Sequence, residues 1–175
     1  MEDKSYNSEV FMSLRKFTDI KLPVLTEFPK KRVQIVETRL IRKTSMLYER
    51  RTICDPATAA ELGKQLFEDY DKEYLYAVFL STKCEPIAIE LMSIGTLDAT
   101  IISPKDILKT ALLCSANGFI IYHNHPSGGE IFPSKEDVNT TKRLKEASAL
   151  MGINMIDHII ISDMGYVSLK EREIL

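Results

Sequence analysis

Three capped helical patterns alternate with five short apolar runs from residue 55 onward, and this order constrains the fold more than any other feature of the chain. A polar cap residue opens each helical pattern, at Asp55, Ser103 and Ser134, and proline follows the first two caps. The apolar runs have the composition of strands, and they read EYLYAVFLS, PIAIELMSIG, FIIYHNH, INMIDHIIIS and GYVSL. We therefore predict an α/β (α+β) sandwich in which helices flank a mixed central β-sheet.

The 175 residues suit one domain with a substantial core and one appendage. We expect residues 1–30 to lie outside the core, because two prolines cut short the amphipathic helix that FMSLRKFTDIKL could form. We interpret this segment as an arm that docks on a partner. Residues 31–54 predict a basic lead-in with a strand over RVQIVETRLIRK. Residues 55–175 form the folded domain, and we expect Gly118 to end its second helix.

The sequence excludes several classes of protein. The cysteines, Cys54, Cys84 and Cys114, are odd in number and widely spaced, which fits neither a disulfide framework nor a Cys-x-x-Cys zinc site. No run approaches the ~20 apolar residues that a membrane helix needs. The acidic, polar start MEDKSYNSE lacks the basic and apolar regions of a signal peptide. We therefore expect a soluble protein of the reducing cytoplasm, with no membrane partner.

Residues 30–51 are strongly basic, although the net charge of the chain is -2. Eight lysines and arginines against Glu37 and Glu49 give this segment a local charge of +6. The segment is either a contact for nucleic-acid phosphates or an acidic partner, or the solvated face of an edge strand. We favour the edge strand, because no aromatic residues are interleaved for base stacking.

The clearest chemical signal is the stretch YHNHPSGGEIFPSKED at residues 122–137. Side chains alternate along a strand, so His123 and His125 share a face while Asn124 points away. Asp137 is the third residue of the helix that Ser134 caps, so its carboxylate can point back toward the histidines. Two neutral imidazoles and one carboxylate suit a cation such as zinc, and three ligands leave a fourth position open for water.

Each part of this motif also has an ordinary structural interpretation. Asp137 after Ser134 forms a capping box, the histidines are polar residues at a strand end, and Gly128–Gly129 is a turn. The metal site is favoured by the combination, because two of the three histidines of the chain fall on one face.

The motif resembles the signature of the JAMM metallopeptidase superfamily, His-x-His-Pro-x7-Ser-x-x-Asp with a glutamate well upstream. Within that superfamily the chain is most similar to the RadC-like branch, through HNHPSG, PSKED, GTLDATIISPKDILKTAL, MIDHIIIS and YVSL, over about residues 55–172. The glutamate of that branch opens the strand after the first helix and maps onto Glu73. Glu85 and Glu90 are competing candidates, which we expect to face solvent.

The resemblance implies a JAMM/MPN-like sandwich, one Zn²⁺ per chain, and hydrolysis of a peptide, isopeptide or related amide bond. It implies that His123, His125 and Asp137 are the metal ligands, and that a protein or protein conjugate is the substrate. Glu73 would take a proton from the attacking water and pass it to the leaving amine. Ser134 would donate a hydrogen bond to the oxyanion, besides capping its helix.

Two features depart from the RadC-like pattern. The helix-hairpin-helix module that relatives often carry is missing from the sequence, and the loop GGEIFPS has bulky residues, Glu130 and Phe132, that we expect to alter substrate access. We expect His158 to be a buried strand histidine or a support for a ligand. The alternative function is a DNA-binding or DNA-processing protein, associated with repair or a mobile element, that uses residues 30–51. The sequence leaves self-association into a homo-oligomer open.

Overall fold

The computed structural model describes residues 34–48, 50–67, 70–95, 103–126 and 131–175. The chain divides into two units, Met1–Thr38 and Arg39–Leu175. Every helix and strand given below lies in the second unit. The arm predicted over residues 1–30, with its amphipathic helix, lies outside the described residues.

In the part of the chain that the structure describes, three helices begin where their cap residues predict. They are α1 (Pro56–Leu66), α2 (Pro104–Leu113) and α3 (Lys135–Leu150). Asp55 and Ser134 each form a capping box with the third residue of their helix, whereas Ser103 precedes α2 without a side-chain cap. Two of the three caps thus satisfy backbone N–H groups that would otherwise lack a partner at the helix start.

Five strands among the described residues form one mixed sheet. They are β1 (Tyr74–Leu80), β2 (Pro86–Ile94), β3 (Gly118–Asn124), β4 (Asn154–Ser162) and β5 (Gly165–Ser168), in the order β2-β1-β3-β4-β5. Only β3 and β4 pair in parallel, and α3 is the crossover between them. The predicted mixed sheet flanked by helices is confirmed.

The side chains of β3 alternate between two cores, one on each face of the sheet. Ile120 and Tyr122 pack with α1 on one face, and Phe119 and Ile121 pack with α2 and α3 on the other. Alternate residues of a strand share a face, so His123 continues the row that faces α3. The end of the central strand therefore meets the start of its crossover helix.

The predicted end of the second helix is wrong. The helix α2 ends at Leu113, and Gly118 is already the first residue of β3. Ser115, with a φ of 55°, takes the left-handed conformation after the helix. A serine carries no stop signal comparable to that of glycine, which is why the sequence pattern overran the helix by a turn.

The strand predicted over RVQIVETRLIRK is also wrong, since residues 34–43 contain no strand. Ile35, Val36 and Ile41 are 75%, 77% and 81% exposed, so the β-branched residues of this segment have no apolar surface to cover. Charged residues interrupt the period of two, and β-branched composition alone does not make a strand without a pairing partner.

Candidate metal centre

His123, His125 and Asp137 form a group in which one ligand atom from each residue lies within 4.8 Å of the others. His123 is the next-to-last residue of β3, His125 follows the strand, and Asp137 is the third residue of α3. The structure thus brings together the three ligands that the motif predicts. Their proximity depends on the junction between β3 and its crossover helix.

The capping box of α3 divides the two oxygens of the Asp137 carboxylate between two tasks. Oδ2 accepts a hydrogen bond of 2.7 Å from the Ser134 backbone N–H, and Ser134 Oγ accepts one of 3.0 Å from the Asp137 backbone N–H. Oδ1 lies 3.5 Å from His123 Nε2. The capping box and the ligand role, which the sequence presents as alternatives, are therefore compatible in one side chain.

The spacing of the donor atoms fits a small divalent cation. His123 Nε2 lies 3.0 Å from His125 Nε2 and 3.5 Å from Asp137 Oδ1. A tetrahedral ion with bonds of about 2.0–2.1 Å holds its ligand atoms about 3.3 Å apart. Two of the three distances between ligand atoms therefore lie close to the spacing around a tetrahedral zinc ion.

Burial keeps the central imidazole in the form that binds metal. His123 is fully buried, and this burial, together with His125, lowers its pKa to about 4, against the opposing effect of Asp137. The neutral imidazole therefore predominates at neutral pH. A neutral ring nitrogen can donate its lone pair to a cation, whereas a protonated one cannot.

His158 lies behind His123 and not among the three candidate ligands. Its Nε2 is 2.7 Å from His123 Nδ1, and its Nδ1 is 2.6 Å from Thr141 Oγ1 on α3. His158 and Thr141 are both fully buried. The expectation that His158 is a buried strand histidine supporting a ligand agrees with this position, whereas Thr141 was missed because a threonine inside a helix carries no sequence signal.

Asn124, which separates the two candidate ligands, was also missed. Its side chain points to the other side of β3, where Oδ1 accepts from the Tyr74 N–H at 2.6 Å and Nδ2 donates to the Lys72 carbonyl at 2.8 Å. These two bonds bracket Glu73, the predicted base. A polar residue between two ligands at a strand end was the available signal.

Glu73 immediately precedes β1 and is half-buried. Its backbone carbonyl accepts a hydrogen bond of 2.8 Å from the Gly95 N–H. The strands β1 and β3 pair Leu75 with His123, so extending their antiparallel register by two residues places Glu73 opposite His125. This position favours Glu73 as the base, and its role stays a prediction.

The competing carboxylates lie farther from the histidines. Glu90 lies on β2, where it pairs with Ala77 of β1, so that β1 separates it from β3. Glu85 forms an ion pair of 2.7 Å with Arg51. The expectation of solvent exposure is wrong for Glu90, whose Oε2 is buried, whereas Glu85 is partly exposed in its ion pair at the surface. The strand β2 lies at the sheet edge, but one side of it still packs on the α2 core.

The loop between β3 and α3 is described only in part, and Glu130 lies outside the described residues. Phe132 is 57% exposed, and the Arg172 guanidinium lies 5.2 Å from its ring centroid. The neighbouring Ile131 packs against a small cluster that includes Leu169. The segment before α3 is therefore anchored to the carboxyl-terminal end of the chain.

The fold and the site together define the class as a JAB/MPN-like α/β domain with a candidate metal centre at the end of its central strand. A family model described as the RadC-like JAB domain matches residues 53–174. The chain belongs to this family. The resemblance to the RadC-like branch is thereby confirmed.

Curated relatives of the chain are UPF0758 proteins. One from Shouchella clausii is 41% identical over 134 residues, which cover 77% of this chain and 57% of the relative. One from Clostridium acetobutylicum is 42% identical over 128 residues, covering 73% and 56%. One from Desulforamulus reducens is 36% identical over 172 residues, covering 94% and 75%.

The chain spans little more than half the length of the first two of these relatives. The names of the three relatives state no activity. Within the part of the chain that the structure describes, no helix is long and apolar enough to cross a membrane.

Proposed function

We propose that this chain is a zinc-dependent hydrolase that cleaves a peptide, isopeptide or related amide bond, with one zinc ion held by His123, His125 and Asp137. The observation that carries the proposal is the close approach of these three ligand atoms, all within 4.8 Å of one another. Two imidazoles and one carboxylate suit zinc better than magnesium or calcium, which prefer oxygen ligands. Three protein ligands are also the number typical of catalytic zinc sites.

The ion, when bound, would polarise the substrate carbonyl and lower the pKa of a coordinated water toward ~7. Glu73 would accept the proton of the attacking water and deliver it to the leaving amine. The Ser134 hydroxyl uses its oxygen to accept from the Asp137 N–H, so its own proton is available to the oxyanion of the substrate. Each step thus has a residue near the end of β3 or the start of α3.

A shallow, open cleft lies along the first turn of α3. It has a volume of about 240 Å³ and is lined by Pro133, Ser134, Lys135, Val138 and Asn139. Ser134 belongs both to this cleft and to the capping box that holds Asp137. We propose that part of a peptide or protein-conjugate substrate contacts the first turn of α3 while the scissile carbonyl approaches Ser134.

The first experiment measures the zinc content and zinc affinity of protein purified without added metal. The wild-type chain should bind one equivalent, and the His123→Ala, His125→Ala double variant should bind none. Asp137→Asn replaces an anionic ligand with a weaker neutral one, so its zinc affinity should fall together with its activity.

Asp163→Asn makes the same chemical change at an exposed residue outside the site and serves as the control. The control should keep wild-type zinc affinity. Stoichiometric zinc that persists in the double variant would contradict this ligand assignment.

A further inference from the structure

A chain of buried hydrogen bonds leads from the backbone of α3 to the rear of His123. Thr141 Oγ1 donates to the Asp137 carbonyl at 2.7 Å and contacts His158 Nδ1 at 2.6 Å. The other ring nitrogen of His158, Nε2, lies 2.7 Å from His123 Nδ1. These hydrogen bonds therefore link the backbone of Asp137 to the ring of His123 through the side chains of Thr141 and His158, neither of which is a candidate ligand.

The direction of these hydrogen bonds follows from the Thr141 hydroxyl, which has one proton. A carbonyl oxygen only accepts, so the contact of 2.7 Å with Asp137 requires that proton. Without it, two acceptor oxygens would face each other at hydrogen-bond distance. Thr141 Oγ1 must then accept from His158, whose proton therefore lies on Nδ1.

His158 has only one ring proton to place. The ring is fully buried, which disfavours its charged form, and its two ring contacts are a hydroxyl and an imidazole, neither of them a carboxylate that would hold a second proton. With the proton on Nδ1, the Nε2 of His158 is an acceptor. It can be satisfied at 2.7 Å only by a proton on Nδ1 of His123.

The same reasoning leaves Nε2 of His123 with a lone pair and no proton. That atom faces Asp137 Oδ1 at 3.5 Å and His125 Nε2 at 3.0 Å. We propose that His158, oriented by Thr141, is a positioning residue that holds His123 in the tautomer able to bind the metal. This inference rests on the proposed function for its purpose, but the tautomer itself is a property of the metal-free protein.

Exchanging the donor and acceptor roles in these hydrogen bonds shows why the Thr141 hydroxyl matters. If the proton of His158 moved to Nε2, it would point at His123 Nδ1 and the proton of His123 would move to Nε2. The lone pair that faces the other two ligands would then be lost. A free imidazole favours the proton on Nε2, so the threonine hydroxyl is the group that opposes this preference.

The protein is suited to a direct spectroscopic test, because it has only three histidines and hydrogen bonds connect all three of them. Long-range ¹⁵N–¹H NMR of the metal-free protein distinguishes a ring protonated at Nδ1 from one protonated at Nε2. We expect His123 and His158 to be protonated at Nδ1 in the wild-type chain. A wild-type spectrum with either proton on Nε2 would overturn the proposal without any variant.

Thr141→Val keeps the shape of the side chain and removes the hydroxyl. We expect His158 and His123 to shift toward protonation at Nε2, and the zinc affinity, measured by competition with a chromogenic chelator, to fall roughly 10- to 100-fold. Thr141→Ser keeps the hydroxyl and should restore both readouts. Thr140→Val, at a buried neighbour on the same helix, controls for the general cost of the substitution.

The two proposals fail in different ways. A wild-type chain that binds no zinc overturns the proposed metal centre, and the metal-free spectra still decide the tautomers. Zinc affinity and tautomers that stay unchanged in a folded Thr141→Val variant overturn the positioning role and leave the metal centre intact. Equal losses of affinity in Thr141→Val and Thr140→Val would also overturn it, because a merely structural effect would not distinguish the two threonines.

Discussion

Two carboxylates near the candidate metal centre have different surroundings and should have different functions. Asp137 is 6% exposed, and its Oδ1 faces His123, whereas Glu73 is half-buried at the start of β1. A ligand holds the ion, while a base exchanges protons with the reacting groups. Substitutions at the two residues should therefore separate metal binding from turnover.

Glu73→Gln keeps the size of the side chain and removes its basicity. We expect zinc affinity close to that of the wild type and a rate of amide hydrolysis lower by roughly 100- to 10,000-fold. Bound zinc and turnover of a panel of peptide and isopeptide substrates should be measured on the same preparations. Release of zinc by Glu73→Gln would identify Glu73 as a ligand, and full activity would transfer the role of base to another residue, with Glu90 the next to test.

Asn124 should act on the reaction through the backbone around Glu73. Asn124→Ala removes both bonds that bracket this residue, so we expect turnover to fall roughly 10- to 100-fold through misplacement of the base while zinc stays bound. Asn117→Ala, at an exposed position next to the opposite end of β3, is the control. An Asn124→Ala variant with normal turnover would show that Glu73 does not depend on this support.

At the scale of elements, the first turn of α3 combines a capping box with a residue of the candidate metal centre. Its capping box resembles that of α1, where Asp55 accepts from the Thr58 backbone N–H at 2.8 Å. The α1 cap lies on a helix that packs on the other face of the sheet. The two caps therefore provide an internal comparison between a structural cap and a cap within the candidate site.

Ser134→Ala should destabilise the fold by about 1 kcal/mol, the usual effect of losing an N-cap. Asp55→Ala should also lower the melting temperature, since it removes the corresponding bond in α1. Only Ser134→Ala should lower the hydrolysis rate, because it also removes the proposed donor to the oxyanion. Thermal unfolding and turnover measured on both variants check this, and equal activity of the two would limit Ser134 to a capping role.

At the scale of the whole molecule, the charge distribution argues against strong binding of nucleic acid. The +6 of residues 30–51 is offset by a charge of -8 on the remainder of the chain. Arg50 pairs with Glu61 at 2.6 Å and Arg51 with Glu85 at 2.7 Å, so part of the basic charge is neutralised locally.

We therefore expect any binding of nucleic acid to be weak and steeply dependent on salt. Replacing Arg39, Arg42 and Lys43 with alanine should weaken it further and reduce the salt dependence. Fluorescence anisotropy with labelled DNA, measured over a range of salt concentrations, provides the readout. Tight, sequence-specific binding that survives both physiological salt and this triple substitution would support the alternative function of the chain as a DNA-binding protein.

The sequence by itself determined the features that depend on neighbouring residues. The caps at Asp55 and Ser134 located two helix starts, because a cap bonds the backbone within three residues of itself. The period of two along β3 placed His123 and His125 on one face, because the alternation of side chains along a strand is also a local property. Composition was misleading at residues 34–43, which form no strand, since β-branched residues form a strand only against a neighbour.

Only the tertiary structure decided which distant residues meet at the candidate centre. The parallel pairing of β3 with β4 brings His158 behind His123 across 35 residues of sequence, and the crossover through α3 brings Thr141 to the same point. No local pattern records such contacts, because they follow from the order of strands in the sheet. The candidate ligands were therefore readable from a motif, whereas the hydrogen bonds proposed to select the tautomer of His123 depend on long-range packing.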